Sequence, residues 1–379
     1  MAMFLASVSW SQVLPFLPLF LREMGVAKKD LLQWSGVVFA AQSLASIITL
    51  PFWGKLGDKY GQKEMTLRAG FFLVLIYFGM SVCRTPLELA VLRFLNGALT
   101  GFIPGSIALI ATNTPKAVAP RSVATAQTCA AAGGIAGPAI GGLLNTAFGF
   151  RGTMQVSGTA VLISAILVAI LVKVTNRPEP PEKTSLLQDF RVSLKSPVTS
   201  SIMLTMLLSA AYMTAIQPFL ALHLAKMVSK RYDWVIGPVF SLPALAFLLS
   251  AHPWTRFGER RGFDQSIRYG LIGAAVCAFL LSLANNIWTF SLLFFLAGLC
   301  LATTSPSSGA VICTKVEEGF RGRAYGMLYS ASTLGAFLAP LASSNIAAAA
   351  GIPWVFVSIG CLLIAGTIAF NSLAARWNT

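Results

Sequence analysis

Long apolar runs alternate with short polar joints along the whole chain. Twelve runs stand out, at roughly 1–21, 31–53, 66–83, 87–111, 122–148, 153–174, 199–224, 234–251, 267–284, 287–312, 323–348 and 353–372. A helix needs about 20 mainly apolar residues to cross a hydrocarbon core about 30 Å thick. Lipid offers the backbone no partner, so each run is predicted as a helix whose hydrogen bonds close internally. The ten-residue alternation of an outer-membrane barrel is absent. The pattern therefore predicts an all-α membrane protein with twelve transmembrane helices.

Composition agrees with this. Of the 379 residues, 56% are hydrophobic and only 11% charged, against about a quarter charged in a soluble domain. The net charge of +15 sits in the joints, which excludes the basic face of a soluble nucleic-acid binder. One set of joints, with the C-terminal tail, carries nineteen Lys and Arg, and the other set carries eight. By the positive-inside rule the richer set is cytoplasmic, and an even span count puts both termini there. No cleavable signal is visible, and the first run serves as its own insertion signal. The six cysteines (Cys83, Cys129, Cys277, Cys300, Cys313, Cys361) have no metal spacing and read as small packing residues.

The longest hydrophilic stretch, Lys173 to Pro197, contains Arg177-Pro-Glu-Pro-Pro-Glu182 and cannot be helical throughout. Within it, 186–195 places Leu186, Leu187, Phe190 and Leu194 on one face, as a short helix lying on the inner membrane surface would. This divides the chain into a six-helix bundle at 1–174, a linker at 175–198 and a second bundle at 199–379. The halves match one another. LPFLPLFLREM from Leu14 and QPFLALHLAKM from Gln217 share Pro, Phe, Leu, Leu, Leu and Met at an offset of 203. Gly57-Asp58-Lys59 faces Gly258-Glu259-Arg260, Gly97 faces Gly298, and Gly133 and Pro138 face Gly335 and Pro340. Parallel repeats of this kind build secondary transporters with a substrate site between the halves. Projected back by the same offset, run one lacks its cytoplasmic turn, so the native start is expected upstream of Met1.

The joint between runs two and three reads GKLGDKYGQK, from Gly54 to Lys63. It resembles the G-x-L-[GA]-D-[RK]-x-G-[RK]-[RK] signature of the major facilitator superfamily through Gly54, Leu56, Gly57, Asp58, Lys59, Gly61 and Lys63, with a weakened copy from Trp254 to Gly262. Leu89 to Gly97 resembles that superfamily's L-x-x-x-R-x-x-Q-G pattern, with Arg93 and with Asn96 in place of Gln. Gly133, Gly137, Pro138, Gly141 and Gly142 resemble the G-x-x-x-G-P-x-x-G-G pattern of its drug:proton antiporter branches. The segments PFLPLF, WSGVVFAAQS, PFWGKLGD and ALIAT look closest to bacterial multidrug-resistance efflux proteins. The resemblance covers the whole chain. It implies two pseudo-symmetric bundles in a bacterial inner membrane, a monomer, a small-molecule substrate, and the proton gradient as energy source with no cofactor.

Each motif carries a chemical expectation. Glycines let the joint turn tightly, and Asp58 is expected to oppose a helix N-terminus. In the superfamily that aspartate helps latch the cytoplasmic side against span eleven. Here the usual following arginine is Gln62, and its acidic partner aligns with Thr112, so a latch relying on Asp58 alone is expected. Arg93 is the one charge well inside a span, a functional candidate by default. It either bonds backbone carbonyls or Asn96, or it moves between partners, tunes a proton site or holds an anionic group. All thirteen acidic residues lie in joints or at span ends, unlike the intramembrane carboxylate common in proton antiporters. Asp30 and His223 read as ordinary surface groups. The glycines of run five invite close helix approach, and Pro138 bends the helix. Expected cavity residues are Trp10, Gln12, Gln33, Arg93, Asn96, Gln127, Tyr212, Gln217, Ser305 and Tyr329, a mostly apolar set with a few polar groups. Nothing resembles a catalytic or metal site. The expected function is export of hydrophobic or amphipathic compounds by proton antiport. The alternatives are a carrier of one anionic organic solute held by Arg93, such as a siderophore, phospho-compound or lysolipid, and a non-transporting sensor on a transporter fold.

Overall fold

The computed structural model describes residues 1–99, 101–114, 118–172, 196–227 and 236–377. The helices follow the apolar runs closely. Span one comprises Ala2–Val13, a 3-10 turn at Leu14–Phe16 and Leu17–Glu23, the tight turn falling where Pro15 and Pro18 interrupt the ladder. Spans two and three are Leu31–Tyr60 and Gln62–Val82. Span four is split into Pro86–Leu99 and Phe102–Asn113. Spans five and six lie within Ala119–Leu171 and meet at Gly149, whose non-helical backbone (φ 68°, ψ 177°) reverses the chain. Spans seven to nine are Pro197–Met227, Ile236–Arg261 and Phe263–Leu281. Span ten is split into Ile287–Leu301 and Thr304–Lys315, and spans eleven and twelve are Glu318–Ala350 and Ile352–Ala374. The helices of spans two, eight and eleven outrun their apolar stretches by several residues at one end. The expected surface helix at 186–195 lies outside the described residues.

Two compact units result: Met1–Glu182 with Leu220–Ser241, and Lys183–Phe219 with Leu242–Thr379. The sequence placed the border at the linker. In the structure the end of span seven and the start of span eight belong to the first unit. There the Ser241 hydroxyl donates to the Ile135 carbonyl (2.5 Å), and a methyl built on Gly237 would overlap the Pro138 carbonyl.

Inside the first unit, spans one and five touch along a ridge of glycines four residues apart. A methyl on Gly133 would meet the Phe4 carbonyl at 2.6 Å, one on Gly137 would overlap the Ser11 hydroxyl, and one on Gly141 the Gln12 carbonyl. The Ser11 hydroxyl shares its proton between the carbonyls of Ser7 (2.7 Å) and Gly133 (3.1 Å). The second unit repeats the contact: Gly335 of span eleven lies against the Leu207 carbonyl of span seven. Gly133 and Phe4 have become Gly335 and Leu207, offsets of 202 and 203, so the sequence repeat is also a repeat of packing.

The joint between spans two and three is tighter than expected. The helix continues through Gly54, Gly57, Asp58 and Lys59 to Tyr60, and Gly61 alone turns the chain, at φ 103°. Its repeat mate Gly262 turns spans eight and nine at φ 102°. Asp58 stands in the last turn of span two, and the N-cap of span three is Gly61 itself. The physical reason is that one glycine at positive φ reverses direction on its own, and the earlier glycines are left free to stay helical.

Candidate functional site

Spans four and ten break at equivalent points, and proline explains both. A proline ring lacks the N–H that would bond the carbonyl four residues back, and it crowds that carbonyl. Pro306 stands four residues after Ala302, where span ten is interrupted; Pro104 stands two residues inside the second piece of span four. The offset between the prolines is again 202. In span four the break also uses Gly101 at φ 144°.

The carbonyls freed by each break are met by side chains from neighbouring spans. In the first unit the Trp53 indole N–H donates to the Ala98 carbonyl (2.5 Å) and Arg68 Nη2 donates to the Leu99 carbonyl (3.3 Å). Ser46 and Thr49 reach the Gly97 carbonyl at 3.3 and 3.4 Å. The Arg68 guanidinium stacks on the Trp53 ring, 3.2 Å from its centroid. In the second unit Trp254 donates to the Leu299 carbonyl (2.7 Å), with Ser250 at 3.5 Å. Close approach of the helices permits these bonds. A methyl on Gly97 would overlap the Gln42 carbonyl, and one on Gly298 would meet Pro243 Cα at 2.8 Å.

Arg93 lies in the first piece of span four and is 3% exposed. Its Nε donates a long bond to the Val38 carbonyl (3.4 Å), and its guanidinium lies 5.9 Å from the Phe39 ring centroid. Among the described residues the ion pair is Arg268–Asp264 (3.8 Å), on the surface of span nine, so no described carboxylate neutralises Arg93. A buried cation without a carboxylate partner carries a desolvation cost of several kcal/mol. Asn96, one turn on, is buried as well.

The remaining predicted residues separate into groups. Gln12 is buried and donates to Ser157 of span six, inside the first unit. Tyr212 is buried, and its hydroxyl has no hydrogen-bond partner among the described residues. Trp10 and Tyr329 are 40% and 61% exposed, Gln33 and Gln127 are exposed, and Gln217 is half-buried. Gly142 and Pro138 are buried in span five. Of the joint between spans two and three, Lys63 donates to the Ala169 carbonyl in the last turn of span six (2.9 Å), where a cation suits the helix dipole. The side chains of Asp58, Lys59 and Thr112 lie outside the described residues.

Cavities open within the units among the described residues. One of about 660 Å³ in the first unit is bounded by Met1, Met3, Ser106, Asn113, Thr125 and Cys129, and no predicted cavity residue lines it. One of about 220 Å³ in the second unit adjoins the break in span ten and includes Ser305. Sequence reasoning named Ser305 as a cavity residue and missed the breaks. The signal was present: a proline in each of two corresponding apolar runs, with the polar string TTSPSS in the second, points to a transporter binding region.

The chain matches the Major Facilitator Superfamily over residues 1–235 and 198–377. It is 29% identical over 379 residues to the multidrug resistance protein MdtG of Escherichia fergusonii, covering 98% of this chain and 93% of that protein. The same holds for MdtG of Salmonella arizonae, at 29% over 378 residues, 98% and 94%. Among solved structures, the nucleoside transporter NupG superposes with a TM-score of 0.81 at 15% identity, covering 98% of this chain and 97% of that one. A bacterial homologue of the human lysosomal transporter Spinster superposes at 0.79 and 14%, covering 99% and 95%. With twelve helices in two repeated sets, paired breaks in spans four and ten, and a family match along its length, this multi-pass membrane protein belongs to the Major Facilitator Superfamily of transporters.

Proposed function

We propose that the chain is a secondary transporter of a bacterial inner membrane that exports hydrophobic or amphipathic compounds in exchange for protons. It works by alternating access, as a monomer with both termini cytoplasmic, and needs no cofactor beyond the proton gradient. The observation that carries this reading is the near-full-length similarity to proteins named for multidrug resistance. The glycine ridge of span five supports it. Gly133, Gly137 and Gly141 give spans one and five a surface of small groups, on which helices shift without large side chains to repack. The segment Gly54 to Lys63 is the proposed cytoplasmic latch, and Lys63 anchors it to span six.

Arg93 favours a second reading. A buried guanidinium without a described carboxylate partner suits an anionic substrate group, for which arginine offers a planar fork of donors. The two readings separate in proteoliposomes. With an acidic lumen and neutral exterior, antiport drives uptake of an apolar dye or drug, and a protonophore abolishes it. A carrier of one anion instead shows flux of that anion alone, lost in Arg93→Ala and retained in Arg93→Lys.

A further inference from the structure

The 220 Å³ cavity of the second unit has a chemistry of its own. It is framed by spans seven, eight, ten and eleven, and no ionisable side chain of Asp, Glu, Lys, Arg or His lines it. One wall is apolar and adaptable: Met206, Met213 and Phe247. Methionine fills irregular gaps and makes favourable sulfur–aromatic contacts. The start of the second piece of span ten also lines it. There Thr304 donates to the Leu301 carbonyl (2.7 Å) and meets Ser209 at 2.9 Å. The hydroxyls of Ser305 and Ser332 donate to no described protein atom. The amides of Thr304 and Ser305 open a helix segment, so they have no carbonyl within it to bond.

The repeat does not reproduce this cavity lining in the first unit. Position 10 there is Trp where the second unit has Met213, and position 42 is Gln where it has Pro243. The equivalence of Gln42 and Pro243 is structural, since they meet Gly97 and Gly298 respectively.

We infer that this cavity is a subsite for an uncharged aromatic group bearing a hydrogen-bond acceptor, of the size of two fused rings. Size follows from volume: an apolar cavity of about 150 Å³ holds one benzene, so 220 Å³ accommodates a fused pair. Orientation follows from the walls, with the ring against Met206, Met213 and Phe247 and the acceptor toward Ser305 and Ser332. The inference rests on the reading of this protein as a carrier of apolar compounds, and it names the portion of substrate that the second unit takes.

The test is equilibrium binding of 7-methoxycoumarin, a fused bicyclic lactone, to the full-length protein in nanodiscs without any gradient. Wild type is expected to bind. Ser332→Phe, which fills the cavity, is expected to weaken binding by about tenfold or more, roughly 1.4 kcal/mol. Met213→Ala enlarges the cavity and is expected to gain binding of three-ring anthrone. Should Ser332→Phe lose its melting transition, Ser305→Cys replaces it. Peptide-resolved maleimide labelling at that position is then expected to slow about tenfold in saturating coumarin, a protection equivalent to most sites being occupied. Absence of coumarin binding by wild type, equal binding by a folded Ser332→Phe, or unchanged labelling overturns the inference. Binding that responds to these changes in a protein that moves nothing under a pH gradient keeps the subsite and removes the export reading.

Discussion

The indole nitrogen of Trp254 lies 2.7 Å from the carbonyl oxygen of Leu299, and 201 residues earlier Trp53 makes the same bond to Ala98. Both bonds close a carbonyl left open by a broken helix. In lipid such a carbonyl has no water to turn to, so a tryptophan of span two or of span eight takes the place of the missing backbone donor. The joints that follow each tryptophan are therefore tied, through one side chain, to the middle of spans four and ten.

Trp53→Phe and Trp254→Phe keep the aromatic bulk and remove the donor. Each is expected to cost about 1–3 kcal/mol, the penalty of a buried acceptor left unmet. For units of this size that lowers the melting temperature by roughly 2–4 °C per kcal/mol. Thermal unfolding of the purified variants followed by circular dichroism checks it. Unchanged melting in both variants would show that water or relaxation satisfies these carbonyls.

Gly134 and Gly137 lie one turn apart in span five and should respond with opposite sign. A methyl on Gly137 overlaps the Ser11 hydroxyl, whereas one on Gly134 meets nothing within 4 Å. Gly137→Ala is expected to lose about 1–3 kcal/mol by overpacking, and Gly134→Ala to be neutral or to gain up to about 1 kcal/mol of helix propensity. The comparison of their melting curves at equal expression decides this.

Replacing Arg93 by an apolar residue of similar length separates function from scaffolding. Removing a buried charge in favour of a packed apolar group is often neutral, or stabilising by about 1–4 kcal/mol. Arg93→Met is therefore expected to melt at or above the wild-type temperature and to lose transport. A large drop in stability would mean that the bond to Val38 is structural.

Gly61 and Gly262 are the single-residue reversals of the joints after spans two and eight, at φ 103° and 102°. An alanine at either should cost about 1–2 kcal/mol, because Cβ crowds the backbone at positive φ. Equal penalties are expected if the repeat extends to these turns, and limited proteolysis of the two variants reports where each joint opens.

The number and limits of the spans were legible in the sequence because hydrophobic length alone dictates them. The repeat was legible for the same reason, and packing bears it out in Gly133 with Phe4 and Gly335 with Leu207. The joint from Gly54 to Lys63 was misjudged, since composition shows how many glycines are present but not which one turns. Among the expected cavity residues, Ser305 lines a cavity within a unit, while Gln12 spends its amide on Ser157. Polar residues in lipid seek one another, and sequence spacing does not reveal whether a Gln faces a neighbouring helix or a substrate. The breaks at Pro104 and Pro306 were visible as paired prolines, but their consequence depended on the Trp53 and Trp254 partners, which only three dimensions supply.

The central claim, exchange of an apolar compound for protons, is tested most directly by recording lumenal pH in proteoliposomes while substrate is added outside. With the lumen initially acidic, the account predicts proton efflux that begins with substrate addition, scales with substrate uptake and is missing from Arg93→Met vesicles. Substrate uptake with no accompanying change in lumenal pH would contradict it.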